Sequence, residues 1–132
     1  MELVKHDLEY TTSAGSILLV PLGDTHSGHK NFNKTKFEEY VNWIEREKNI
    51  RWWGMGDYAD AIIAGDEKRY DFDQLDPEMP TPDEQYLYIE SQFKRIKDKC
   101  LGLHLGNHDY ELQRRHGHRY VAFICDSLGV PF

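Results

Sequence analysis

The chain reads as an α/β fold: a layered, largely parallel sheet flanked by helices. Three observations predict this. Short apolar runs at 16–22, 50–55 and 100–105 have the composition of strands covered on both faces. Stretches with helical spacing separate one run from the next. A polar segment also follows each run at once: Gly23-Asp24-Thr25-His26, Gly56-Asp57-Tyr58-Ala59-Asp60 and Gly106-Asn107-His108-Asp109. In parallel sheets ligands gather beyond the carboxyl ends of the strands, so the three polar segments mark one candidate site.

The elements follow in order. Residues 2–10 are expected as a preceding edge strand, with Thr11 to Gly15 as the turn and Ser16 to Leu22 as the first buried strand. Thr35 with Glu38 matches a capping box, and Phe37, Val41 and Ile44 continue at helical spacing, which predicts a helix over 34–48. Ile50 to Met55 is the second strand, and Ala59 to Ala64 a short helix ended by Gly65. Residues 66–80 carry Asp66, Glu67, Asp71, Asp73, Asp76 and Glu78 without a period, and Pro77 and Pro80 keep the stretch open as an acidic loop. Thr81-Pro82-Asp83-Glu84 reads as N-cap, N1 proline and capping-box Glu. Tyr86, Ile89, Phe93 and Ile96 are the buried stripe of that helix, over 82–98. Cys100 to Leu105 is the third strand, and a last helix runs over about 115–128 with Gly129 at its C-terminal cap.

With 132 residues the chain is one domain or part of one, and 39% hydrophobic residues supply a core. A formal charge of −7 disfavours a broad phosphate-backbone footprint, although bound cations would invert the local sign. No apolar stretch approaches the roughly 20 residues of a membrane span. Glu2, Lys5, His6, Asp7 and Glu9 are unlike a signal peptide. Cys100 and Cys125 lack CxxC spacing and read as free core thiols, which suits a reducing, cytoplasmic setting.

The chemistry lies in the three polar segments. Asp24 and His26, two residues apart as the chain leaves the sheet, make a carboxylate–imidazole clip for a metal. Gly56 lets backbone and ion approach Asp57 closely, and two carboxylate oxygens can bridge ions about 3.5–4 Å apart. Asp60 is read as orienting its neighbours or capping the short helix. Asn107 offers an amide oxygen to a metal. His108 can protonate a leaving alkoxide, and Asp109 can hold its imidazole in the working tautomer. Oxygen ligands mixed with imidazole suit Mn, Fe or Zn. Of the other histidines, His104 is expected as a packed core residue and His29 close to the site. His116-Gly117-His118 reads as an exposed, arginine-flanked helix start.

The set Asp24-x-His26, Gly56-Asp57-x-x-Asp60 and Gly106-Asn107-His108-Asp109 resembles the first three signature blocks of the calcineurin-like metallophosphoesterases, over about residues 16–129. The resemblance implies that the sheet belongs to that family's phosphoesterase sandwich. Asp24 and His26 would bind a first metal, Asp57 would bridge, and Asn107 would bind a second. His108 would be the catalytic histidine, assisted by Asp109. It implies hydrolysis of a phosphomonoester, a phosphodiester or nucleic acid by metal-bound hydroxide. The family's later His and Gly-His-x-His segments have no counterpart here. Residues 1–132 are therefore expected to be a domain incomplete at its C-terminus, with two divalent ions in the complete domain. The alternative is a non-catalytic metal-binding or interaction module derived from the same fold. No membrane partner is expected, and the oligomeric state is not encoded in any motif.

Overall fold

A computed structural model describes residues 3–8, 15–66 and 68–132. Strand β1 (Leu18–Leu22) leads through helix α1 (Lys34–Arg46) to β2 (Ile50–Gly54). Helix α2 (Pro82–Ile96) then leads to β3 (Cys100–Leu103), followed by helices α3 (Asn107–His116) and α4 (Tyr120–Leu128). The three strands pair in parallel in the order β1-β2-β3, with Val20 opposite Trp52 and Trp52 opposite Cys100. This is the expected mixed α/β layering. Both crossovers step the same way along the sheet, so right-handed connections carry α1 and α2 to one face.

That face holds the core. Ile50 and Trp52 point into it from β2, and Phe37, Val41, Ile44, Ile89, Phe93 and Ile96 meet them from α1 and α2. Trp52 is wholly buried, and its indole N–H donates to the Ile96 carbonyl at 2.9 Å, so its polar atom is satisfied inside the core. Helix α4 closes the layer with Val121, Ile124, Cys125 and Leu128. The other face is the less covered one among the described residues. Leu19 and Pro21, which pair with Arg51 and Trp53 on that face, are exposed and their partners only half-buried, so among the described residues β1 is covered on one face where its composition predicts two.

Several expected boundaries move, each for a local reason. Asn33, not Thr35, caps α1: its side chain accepts from the Lys36 N–H at 3.0 Å. Glu38 instead accepts from the Tyr88 hydroxyl. The Thr81–Glu84 capping box forms as expected, with Pro82 in the first turn of α2. Ala59 to Ala64 form no helix, because distant groups take their amides. The Asp60 N–H bonds the Ser27 carbonyl, and the Ala61 N–H bonds Gln85 Oε1 at 2.8 Å, with Ala61 itself at φ 55°. The expected last helix is two helices. Gly117, left-handed at φ 74°, ends α3, so His116-Gly117-His118 is a helix end and not a start. Gly129 caps α4 as expected.

Residues 3–8 form no strand; residues 2, 9 and 10, and the expected turn apart from Gly15, lie outside the described residues. The acidic loop, with Glu67 outside the description, carries a 3-10 turn at Phe72–Gln74. It is tied to the first polar segment: the Lys30 N–H bonds the Gln74 carbonyl and the Asp76 N–H the Gly28 carbonyl, each at 2.8 Å. Cys100 and Cys125 are free thiols. Among the described residues no helix is long and apolar enough to cross a membrane.

Candidate metal centre

Beyond β1 and β2 the two chains stay zipped together. The Asp24 N–H bonds the Gly56 carbonyl, the Thr25 and His26 N–H groups share the Asp57 carbonyl, and the Ser27 N–H bonds the Tyr58 carbonyl, all at 3.0 Å. Thr25 and Ser27 hydroxyls also donate to the Tyr58 carbonyl. The β ladder thus continues as a bonded pair of loops and places Asp24, His26 and Asp57 side by side. All three have left-handed backbones, with φ of 51°, 46° and 51°. Such conformations are costly for residues with a Cβ and cluster where function fixes side-chain direction.

The third segment joins through glycine. A Cβ on Gly56, which has φ 88°, would stand 1.9 Å from the Gly106 nitrogen, and one on Gly106 would stand 2.2 Å from Asp57 Oδ1. Only two glycines let these turns touch. Helix α3 starts at this contact, and its His108 N–H donates to Asp57 Oδ1 at 2.8 Å. The carboxylate therefore sits at a helix N-terminus, where the dipole favours negative charge. Asp57 is 8% exposed, and its Oδ2 has no hydrogen-bond partner among the described residues.

Asp24, His26 and Asp57 each offer a ligand atom within 4.8 Å of the others, and so do His26, Asp60 and His108. The two groups share His26, whose ring meets that of His108 edge-on at 4.7 Å. Asp60, 7% exposed, lies between the rings: its Oδ1 is 3.5 Å from His26 Nδ1 and 3.7 Å from His108 Nδ1. The expectation that Asp60 orients its neighbours fits this geometry; the helix it was expected to cap is absent. The Asp60 carboxylate is the largest influence holding the His26 pKa above its ordinary value; the charges of Asp57 and Asp24 add to it, and burial opposes it.

His108 takes its tautomer from a different partner than the sequence suggests. Its Nδ1 lies 2.6 Å from the Asp60 main-chain carbonyl, which can only accept, so Nδ1 carries the proton and Nε2 is the nitrogen left for exchange. Asp109 is used elsewhere. At 2% exposure, its Oδ2 accepts from the Asp57 N–H at 2.7 Å and the Gly106 N–H at 2.9 Å, and its Oδ1 accepts from the Tyr86 hydroxyl at 2.6 Å. Burial pushes the Asp109 pKa up, while these three bonds pull it back.

Asn107 is exposed in the first turn of α3. His104 is exposed beyond β3 and not in the core; its carbonyl accepts from the Tyr58 hydroxyl. His29 lines a cavity of about 550 Å³ with Asp24, His26, Asp60 and His108. His118 lies apart, stacked on Tyr120. Sequence reasoning missed Gln85, which is fully buried and bonds both the Ala61 N–H and the Met79 carbonyl. Its one signal was a polar residue beside the buried stripe of α2.

The donor set fits one divalent ion. Two carboxylates and an imidazole converge beyond adjacent strand ends, and one oxygen of Asp57 has no hydrogen-bond partner among the described residues. A second ion would have Asp57 and Asn107, fewer than the three protein ligands usual in catalytic zinc sites. Family models, curated proteins and solved structures were each compared with the chain, and none matches it.

Proposed function

We propose that this chain carries the metal-binding half of a phosphoester hydrolase site of the calcineurin-like kind. The observation that carries the reading is the convergence of Asp24, His26 and Asp57 beyond two adjacent parallel strands. Asp24, His26 and Asp57 would hold one divalent ion, and Asn107 would contribute to a second, as the resemblance implies. The ion supplies Lewis-acid polarisation of a phosphoryl oxygen and makes water available as a nucleophile near neutral pH.

The remaining work falls to the chain's own groups. His108, with Nδ1–H fixed on the Asp60 carbonyl, presents Nε2, which in the doubly protonated ring would give its proton to the leaving alkoxide and be left as the neutral Nδ1–H tautomer. The His108 N–H, at the start of α3, holds the Asp57 carboxylate in place. The cavity beside His26 and His29 is wide enough for a phosphoryl group and part of its ester. A net charge of −7 favours a small phosphoester over a long nucleic-acid track.

A second reading is a non-catalytic metal-binding module, favoured by the two-donor set at the second position. Hydrolysis of bis(p-nitrophenyl) phosphate with added manganese separates the two. A manganese-dependent rate abolished in Asp57→Asn supports the hydrolase. Manganese binding without turnover supports the module.

A further inference from the structure

We infer that Tyr86 is a positioning residue for the metal site, acting on Asp57 through the Asp109 carboxylate. The inference rests on Asp57 being a metal ligand. Position 86 belongs to the apolar stripe of α2, and its ring packs as that stripe requires, 3% exposed and stacked on Tyr120 at 4.4 Å and 10°. A phenylalanine would serve that packing equally well. The hydroxyl adds one thing, the 2.6 Å bond to Asp109 Oδ1.

Asp109 stands third in α3 and reaches back to the Gly106 N–H, as a capping-box carboxylate does. The same oxygen accepts from the Asp57 N–H, so one carboxylate clips the second polar segment to the third. Without Tyr86 the other oxygen would be buried and unbonded. The carboxylate would then gain by turning toward solvent, which loosens its hold on the Asp57 amide. That amide belongs to a residue with φ 51°, a backbone that relaxes when its partners release it. The Asp57 carboxylate would shift with it.

The test is Tyr86→Phe in the full chain, with manganese alone as probe, read by loss of the free-ion electron paramagnetic resonance signal. Manganese affinity should fall by roughly 10-fold, the scale on which partners of metal ligands act. Amide hydrogen exchange at Asp57 and Gly106 should quicken while Trp52 and Ile89 stay protected. Asp109→Asn should weaken manganese at least as much. Tyr120→Phe, which loses a hydroxyl bonded to Asp83 but leaves Asp109 untouched, should bind manganese as the parent does.

Four results overturn the inference. They are parental affinity in Tyr86→Phe, parental affinity in Asp109→Asn, equal weakening in Tyr120→Phe, and exchange that quickens evenly through the core. Asp57→Asn separates the underlying reading. If the parent binds no manganese, or Asp57→Asn binds it equally, the metal site fails and the inference fails with it. If Asp57→Asn loses the ion and Tyr86→Phe keeps it, only the inference fails.

Discussion

Asp57 and Asp24 occupy equivalent places at the ends of neighbouring strands, but their surroundings differ. Asp57 is held from every side. Its amide is bonded to Asp109, its Oδ1 to the His108 N–H, and its preceding glycine is packed against Gly106. Asp24 has one main-chain bond, to the Gly56 carbonyl, and its side chain is 80% exposed. Its Oδ1 faces His26 Nε2 across 3.9 Å. The contrast separates two ways of supplying a ligand. One carboxylate is preorganised, and stability and binding are coupled there. The other is solvated, and contributes mainly to binding.

The most disruptive way to break this contrast is Gly56→Ala. The added methyl has no room beside Gly106, and alanine resists φ 88°. Urea denaturation should show a loss of at least ~3 kcal/mol, in the range reserved for backbone strain and core clashes. Gly65→Ala, whose methyl would meet only Ile63 Cδ1, at 3.8 Å, among the described residues, should stay within about 0.5 kcal/mol. A mild Gly56→Ala would mean that the two turns do not touch in solution.

Asp24→Asn sharpens the contrast. Manganese affinity should drop about 10-fold or more, since even partners of metal ligands act on that scale. The urea midpoint should not move, because the side chain is solvated. A changed midpoint with unchanged affinity would reverse the roles assigned to the two carboxylates.

The smallest effect concerns pH. Folding holds the His26 pKa above its ordinary value of 6.5, chiefly through Asp60. The stability from this shift is fully present below 6.5 and is lost as pH rises through the folded-state value. Metal binding requires neutral imidazole, so manganese affinity should strengthen across that same window. Asp60→Asn should move the window down. Manganese titrations across it would contradict the account if affinity were flat.

The strand-end placement of Asp24, His26 and Asp57 was legible because apolar runs, helical spacing and abrupt polar segments alternate without ambiguity. Helix α2 was legible too, since Thr81, Pro82 and Glu84 give its start and four apolar residues its buried face. Helix α3 was not. Its N-cap is Gly106, which has no capping side chain, and only Asp109 and Leu112 along it are buried. Sequence pairs Asp109 with the adjacent histidine because it shows neighbours, whereas two of its three partners, Tyr86 and Asp57, lie 23 and 52 residues away. The hydroxyl of Tyr86 was hidden for the opposite reason: its ring alone accounts for its place in the stripe. Ala59 to Ala64 look helical until Ser27 and Gln85 claim their amides.

Anomalous scattering from a manganese-soaked crystal tests the central claim most directly. One ion is expected, bound by Asp24, His26 and the free Oδ2 of Asp57. An ion held instead among His26, Asp60 and His108, or no ion near Asp57 in a crystal that takes up manganese, would contradict it.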